Sequence, residues 1–201
     1  MQVKTHVVNL IGGPGVGKTT MAHLLVYLAS VAGLRTAFVP EYVKSWALEE
    51  RPFRPYDELY FLGKQARYES IHYGRDELIV TDKPLLMDVM YARKFSPQLA
   101  PAIEQSVTSL MKMAEEEHGV RHANVILKRI HPYQPHGRYQ DEAGAREMDV
   151  DMQEILGEMG MDAIVAEPTE AAFQQLFDRI MRWRACPGIS WGSQVLDRHV
   201  I

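Results

Sequence analysis

The 201-residue chain has little cysteine, no long apolar run and no excess of positive charge. Its single cysteine, Cys186, excludes an internal disulfide framework and indicates a reducing compartment. The longest apolar helix expected, around residues 22–32, is much shorter than the roughly 20 residues that cross a bilayer, and the opening MQVKTHVVNLI is not typical of a secretory signal. The net charge of −4 favours neither nucleic acid nor an anionic membrane as a partner. We therefore expect a cytoplasmic protein with no membrane partner.

Strand-like and helix-like segments alternate along the chain. The apolar pattern predicts strands over residues 3–11, 34–39, 77–81, 124–128 and 162–165, and helices over residues 18–32, 42–50, 55–73, 85–94, 101–117, 143–159 and 169–183, the last with Thr169 as its cap. Short buried strands alternating with helices predict an α/β fold of three layers, in which helices cover both faces of a five-stranded parallel sheet. We expect one domain over residues 1–184, with a small lid at about residues 131–146, and a C-terminal tail over residues 185–201.

The most specific motif lies between the first predicted strand and the first predicted helix. It satisfies G-x-x-x-x-G-K-[ST], whose glycines let backbone N–H groups approach an anion at the positive end of a helix. The lysine can then reach the β- and γ-phosphates, and the following hydroxyl can bind Mg²⁺. We predict that ATP and Mg²⁺ bind here, at Gly12, Gly13, Pro14, Gly15, Val16, Gly17, Lys18, Thr19 and Thr20.

Four classes of protein share such a loop: GTPase switches, motor or AAA-type ATPases, ParA-like ATPases and small-molecule kinases. The chain has no N-K-x-D, and Asp82-Lys83-Pro84-Leu85 replaces the D-x-x-G of a GTPase after the third strand. No predicted strand ends in the Asp-Glu pair that is typical of hydrolytic motors, and the chain is short for a motor domain with a helical lid. These absences favour a kinase.

A kinase needs a proton acceptor, an acid linked to Mg²⁺ and cations over the transferring phosphoryl group. Glu41 follows the second predicted strand and Asp82 the third, so both are expected beside the phosphate loop. Arg138 lies on the predicted lid, with Arg129 and Arg146 nearby. We assign Lys18, Glu41, Asp82 and Arg138 to catalysis, and Thr19 and Asp82 to the metal. Ordinary structural roles stay open for these residues: Glu41 as a strand-end acid, Asp82 as a helix cap, Arg138 as a loop charge and Arg146 as an exposed helix charge.

The layout resembles the P-loop nucleoside and nucleotide kinases, the thymidylate-kinase and deoxynucleoside-kinase group. The segment "PEYVKSWALEE…YDELYFLGKQARYES…ELIVTDKPLL" is similar to the ribosylnicotinamide-kinase branch. The resemblance implies that Glu41 is the general base or binds the acceptor hydroxyl, that Gln65 and Arg67 line the acceptor pocket, and that Arg138 and Arg146 contact phosphates. The chain departs from the group in having Asp-Lys-Pro after the third strand and two lid arginines eight residues apart.

The sequence does not identify the molecule that accepts the phosphoryl group. Tyr42 and Trp46, close to Glu41, could stack on a base, which favours a free nucleoside or nucleotide. The chain is also similar to phage kinases that phosphorylate 5-hydroxymethyluracil in DNA, and basic runs over residues 128–138 and 179–184 could form a DNA-binding rim; a phage protein would act in the host cytoplasm. If the protein is not an enzyme, the alternative is a non-catalytic binding module that is switched by ATP. The oligomeric state is also open, and a homodimer is one option.

Overall fold

The centre of the fold is a parallel β-sheet. In the computed structural model, which describes residues 3–134, 141–186 and 188–192, the strand order is β2-β3-β1-β4-β5. Every neighbouring pair is parallel, which confirms the predicted five-stranded parallel sheet. The strands are β1 (His6–Ile11), β2 (Thr36–Val39), β3 (Leu78–Thr81), β4 (Arg121–Leu127) and β5 (Ala163–Ala166).

Helices cover both faces of this sheet, as predicted. They are α1 (Lys18–Val31), α2 (Lys44–Leu48), α3 (Asp57–Ser70), α4 (Leu86–Phe95), α5 (Ala100–His118), α6 (Glu142–Glu158) and α7 (Glu170–Ala185). Apolar residues of α1 and α7 pack on one face of the sheet, and those of α4, α5 and α6 pack on the other. Strand residues alternate between these two cores, so that Val8 and Leu10 face α1 whereas Ile11 faces α4 and α6.

Most element boundaries agree with the sequence pattern, and the exceptions have local causes. The fourth strand begins at Arg121 instead of residue 124, because residues 121–123 pair with His6, Val7 and Val8 of β1 although Arg-His-Ala carries no apolar signal. Thr169 caps α7 as predicted, since its side chain accepts a hydrogen bond from Ala172 N. Asp141 caps α6 in the same way through Gly144 N.

The described part of the C-terminal tail packs beside β4. Trp191 is 3% exposed and donates a hydrogen bond from Nε1 to the Asn124 carbonyl at 2.8 Å. Arg121, the first residue of β4, donates to the Ile189 carbonyl at 2.6 Å. These contacts lie toward the amino-terminal ends of the strands. The carboxyl ends, where the predicted site residues follow β1, β2 and β3, are at the opposite end of the sheet.

Candidate functional site

The loop between β1 and α1 has a conformation that requires its glycines. Gly12, Gly15 and Gly17 have φ angles of 147°, 84° and 99°, which L side chains rarely adopt. A Cβ at Gly13 would lie 2.2 Å from the Ala145 carbonyl oxygen, so no larger residue fits there without backbone movement. The loop leads directly into α1, which begins at Lys18. The glycine-rich loop therefore ends at the positive end of α1, where an anion can bind.

Lys18 folds back over this loop. Its Nζ donates hydrogen bonds to the carbonyl oxygens of Gly12 at 2.6 Å and Gly13 at 3.0 Å. Burial lowers the pKa of Lys18, and the nearby carboxylates of Glu41 and Asp82 offset part of that effect. The ammonium group is thereby fixed beside the anion site, as a phosphate-binding lysine requires.

Asp82 joins the phosphate loop to the segment after β2. It is 3% exposed; its Oδ2 accepts a hydrogen bond from Thr19 Oγ1 at 2.5 Å, and its Oδ1 accepts one from the Glu41 backbone N–H at 2.9 Å. A hydroxyl and a carboxylate in contact are the hard oxygen ligands that Mg²⁺ prefers. The structure thus brings Thr19 and Asp82 into contact, and their role as metal ligands stays a prediction.

The Glu41 side chain lines the same cavity as Lys18, Thr19 and Asp82. Burial raises the pKa of Glu41, and the positive charge of Lys18 acts in the opposite direction. The structure thus brings the acid predicted after strand two to the anion-binding loop. A partly desolvated carboxylate next to a phosphate site can accept a proton from a bound hydroxyl.

The cavity has a volume of about 610 Å³ and runs from the phosphate loop to α3 and α4. At the first end it is lined by Pro14, Gly15, Gly17, Lys18, Thr19 and Thr20, and at the second end by Phe53, Glu58, Phe61, Lys83, Asp88, Tyr91 and Phe95. The volume of the whole cavity is in the range of small-molecule sites.

Several residues predicted to bind substrate do not line this cavity. Gln65 is fully buried, and its amide accepts from Tyr42 N at 3.2 Å and donates to the Pro40 carbonyl at 3.3 Å, so it holds the backbone on both sides of Glu41. Arg67 lies on the exposed side of α3. Arg146 is exposed on α6 and forms an ion pair with Glu142.

The two predicted stacking residues belong to an aromatic cluster next to the cavity. Tyr42 shares a hydrogen bond of 2.7 Å with the Tyr60 hydroxyl, and Trp46 packs edge-on against Phe61 at 4.9 Å between ring centroids. Neither ring lines the cavity, whereas Phe61 does. Arg138 lies outside the described residues, together with much of the predicted lid, and the last lid residues belong to α6.

Sequence reasoning missed the contact of α6 with the phosphate loop. Asp149 Oδ1 accepts a hydrogen bond from Gly13 N at 2.5 Å, and Asp149 Oδ2 accepts one from Arg129 Nε at 2.8 Å. Arg129 is itself buried, with 5% of its side chain exposed, and donates to the Pro14 carbonyl at 2.8 Å. Asp149 is one of several acids on its helix, so no sequence signal distinguished it.

The second group that was missed lies at the far end of the cavity. Lys83 forms a buried ion pair with Asp88 of α4, and Glu58 of α3 lies near them. The visible signal in the sequence was the Asp-Lys-Pro after the third strand, in which the chain departs from the kinases that it resembles, together with the acid five residues after this lysine.

The basic runs considered for a DNA-binding rim are mostly turned inward. Arg129 and Arg179 are buried, and Arg184 bonds to Glu77 with 13% of its side chain exposed. Lys128 is exposed but is paired with Glu167. His131 is exposed and lines the cavity, and Arg182 is exposed on α7, so the cations of the two runs do not form one continuous basic surface.

Comparison with known families matches residues 7–172 to a family described as an AAA domain. The chain belongs to this family. The exclusion of AAA-type ATPases in the sequence analysis is therefore wrong as a statement about family. The chain does lack an Asp-Glu pair after β3, where Asp82-Lys83 stands instead. The lack of this pair is therefore no ground for excluding a protein from this family.

Solved structures with the same fold include two of NadR. The crystal structure of NadR protein in complex with NAD and AMP-PNP matches with a TM-score of 0.63 and 15% identity, over 90% of this chain and 50% of that one. NadR protein in complex with NR gives a TM-score of 0.65 and 16% identity over the same shares. The chain thus spans about half the length of these NadR chains. The APS kinase CysC of Mycobacterium tuberculosis in complex with AMPPNP and APS matches with a TM-score of 0.49 and 10% identity, over 88% of this chain and 97% of that one.

Among curated proteins, no sequence matches significantly. The likeness to NadR and the five-stranded sheet together establish the P-loop NTPase α/β fold. In the described residues, no helix combines the length and the apolar character needed to cross a membrane.

Proposed function

We propose that the protein is an ATP-dependent kinase that transfers the γ-phosphoryl group to a hydroxyl of a nucleoside-type acceptor. The observation that carries the proposal is the position of Glu41, whose side chain lines one cavity together with Lys18, Thr19 and Asp82. A protein that only binds and hydrolyses ATP does not need an acceptor-sized space beyond such a carboxylate, and this cavity continues to α3 and α4.

Each residue of this group has a role in the proposed reaction. The loop amides and Lys18 bind the triphosphate, and Thr19 and Asp82 hold Mg²⁺, which when bound neutralises charge on the phosphates. Glu41 accepts the proton of the acceptor hydroxyl as the new O–P bond forms, and the bond to the β-phosphate oxygen breaks so that ADP leaves. Burial, which raises the pKa of Glu41, strengthens it as a base, while Lys18 favours its ionised form.

The acceptor class is supported by the cavity and by the relatives. NadR, which shares the fold, has been solved with AMP-PNP and NAD and with NR. A nucleoside-type acceptor such as ribosylnicotinamide is therefore our first choice. Hydroxymethylated DNA is less favoured, because most of the described cations expected to form a rim are buried or paired.

The test is a transfer assay with γ-labelled ATP and Mg²⁺. The acceptor panel contains free nucleosides including ribosylnicotinamide, nucleoside monophosphates, and DNA with and without hydroxymethylated bases. We expect label on a nucleoside. Label on DNA would show that the acceptor is DNA and not a nucleoside. Release of label only as inorganic phosphate, at a rate that no acceptor changes, would contradict the kinase assignment. Lys18→Ala serves as the negative control, because it removes the cation that contacts the phosphates.

A further inference from the structure

The end of the cavity formed by α3 and α4 contains two buried carboxylates. Glu58 and Asp88 are each 1% exposed, and both line the cavity. Among the described residues, Glu58 Oε1 and Asp88 Oδ2 have no hydrogen-bond partner. Buried polar atoms in proteins are nearly always hydrogen-bonded, and leaving them unpaired is costly. Two free acceptors on one cavity wall therefore indicate a ligand that donates hydrogen bonds.

The charge of this carboxylate pair (Glu58 and Asp88) is only partly neutralised. Lys83 Nζ donates to Asp88 Oδ1, and the two side chains are 3% and 1% exposed, so this lysine is committed to Asp88. Burial raises the pKa of Glu58 to about 7; the charge of Asp88 adds to the effect and that of Lys83 opposes it. Burial also raises the pKa of Asp88, and the charge of Lys83 opposes that shift. Lys83 balances one of the two carboxylates, so the group carries one net negative charge whenever Glu58 is ionised, and that charge repels a phosphate group and attracts N–H and O–H donors.

The walls around the carboxylate pair are aromatic. Phe53, Phe61, Tyr91 and Phe95 line the same end of the cavity, and Phe53 stacks on Phe61 with ring centroids 5.8 Å apart and 17° between the planes. Apolar, flat walls with a few convergent polar atoms are typical of small-molecule sites. They suit a ring system that carries hydrogen-bond donors. The cation that also lines the cavity from α2, Lys44, is exposed to solvent.

We infer that Glu58 and Asp88 recognise the hydrogen-bond donors of an unphosphorylated, nucleoside-type acceptor, and that they select it over its 5′-monophosphate. This inference rests on the proposed function and narrows its acceptor class. A monophosphate would bring a second anion into a space that already has Glu41 and Asp82 at one end and the carboxylate pair at the other. The buried cation at that end, Lys83, is already paired with Asp88.

The variant that tests the inference is Glu58→Gln, because it keeps the shape and removes the charge without disturbing the Lys83–Asp88 pair. Asp88→Asn is a second variant, but it breaks that pair and endangers folding. Glu69→Gln is the matched control. Glu69 lies on the same helix, is also 1% exposed, and accepts a hydrogen bond from the Tyr73 hydroxyl at 2.5 Å outside the cavity lining.

Calorimetric titration in the presence of a non-hydrolysable ATP analogue gives the readout. The probes are thymidine, ribosylnicotinamide and their 5′-monophosphates. We expect at least one nucleoside to bind with an affinity about tenfold or more above that of its monophosphate. Glu58→Gln should lower the affinity for that nucleoside by about tenfold or more. Glu69→Gln should bind like the wild type, and all three proteins should bind the ATP analogue equally. The melting temperature of unliganded Glu58→Gln should equal or exceed that of the wild type, since the variant loses an unpaired buried charge.

Three results would overturn the inference: unchanged nucleoside affinity in Glu58→Gln, a monophosphate bound as tightly as its nucleoside, or no binding of either nucleoside to the wild type. The inference and the proposed function fail separately. If Glu58→Gln loses nucleoside binding but the wild type transfers no label, the kinase assignment fails and the recognition site stands. If label is transferred while Glu58→Gln binds normally, the recognition site fails alone.

Discussion

Asp82 connects the phosphate loop to the segment that carries Glu41. One carboxylate oxygen accepts from Thr19 Oγ1 and the other from the Glu41 backbone N–H. At the residue scale this arrangement lets one side chain fix both the Thr19 hydroxyl and the backbone position of the proposed base. The cost of burying the carboxylate is offset because both of its oxygens are hydrogen-bonded.

Asp82→Asn tests this role. The amide keeps the shape but loses the negative charge that favours Mg²⁺, so we expect the gain in ATP affinity on adding Mg²⁺ to fall by about tenfold or more. The measurement is ATP binding with and without Mg²⁺, and Asp178→Asn, which changes an exposed aspartate of α7, is the control. An unchanged dependence on Mg²⁺ would remove Asp82 from the metal site.

Glu69 gives a prediction about pH. Burial raises the pKa of Glu69 from 4.5 to about 7, and the hydrogen bond from Tyr73 opposes the shift. The folded state therefore holds this proton more tightly than the unfolded state does. The contribution of Glu69 to stability is fully present below pH 4.5 and is lost as the pH rises to about 7, by about 3 kcal/mol in total.

Glu69→Gln cannot lose a proton, so its unfolding free energy relative to wild type should increase between pH 4.5 and 7 and then stay level. Urea unfolding at several pH values measures this difference. A difference that does not vary with pH would show that Glu69 titrates normally in the folded protein.

At the scale of elements, α6 supports the phosphate loop from the side. Asp149 on α6 accepts a hydrogen bond from Gly13 N, and Arg129, which follows β4, connects Asp149 to the Pro14 carbonyl. The lack of a Cβ at Gly13 permits the close approach of α6. The loop shape is thus determined by packing as well as by its own glycines.

We expect Asp149→Asn to lower stability by about 2 kcal/mol, because it leaves the buried Arg129 guanidinium without its carboxylate. ATP should also bind more weakly, since the first turn of the loop loses its charged partner. Chemical unfolding and ATP titration measure the two effects. Glu154→Gln, at an exposed position on the same helix, should change neither. Normal ATP affinity in Asp149→Asn would contradict a supporting role for α6.

Elements with a strong apolar or glycine pattern were predictable from the sequence, and contacts between distant elements were not. The phosphate-loop motif, the positions of Glu41 and Asp82 after their strands, and the Thr169 cap all follow from local spacing. The family resemblance implied that Gln65 lines the acceptor pocket, but its side-chain amide satisfies backbone groups of residues 40 and 42. Glu58, Asp88 and Asp149 lie on helical faces whose partners depend on tertiary packing, which residue spacing does not specify.

At the scale of the whole molecule, the candidate site and the described part of the tail lie at opposite ends of the sheet. The phosphate loop and Glu41 follow the carboxyl ends of the strands, whereas Trp191 packs near the start of β4 against Trp183, with ring centroids 5.2 Å apart. The described part of the tail therefore contributes to the core of α1, α7 and the sheet. It does not line the acceptor cavity.

Trp191→Ala should accordingly lower the unfolding free energy by about 3 kcal/mol, because it removes a large buried ring and the hydrogen bond to Asn124. ATP affinity of the folded fraction should stay at the wild-type value. Thermal unfolding and ATP titration below the transition test both statements. A selective loss of ATP binding with unchanged stability would mean that the tail acts on the site instead of the core.

The central claim is that Glu41 faces the terminal phosphate and accepts the proton of the acceptor. The most direct measurement compares ATP affinity and γ-phosphoryl transfer in wild type, Glu41→Gln and Glu49→Gln, the last changing an exposed glutamate just after α2. We predict that Glu41→Gln binds ATP normally and transfers phosphate about 10² times more slowly or worse, with Glu49→Gln unchanged. Transfer by Glu41→Gln at the wild-type rate would contradict the account.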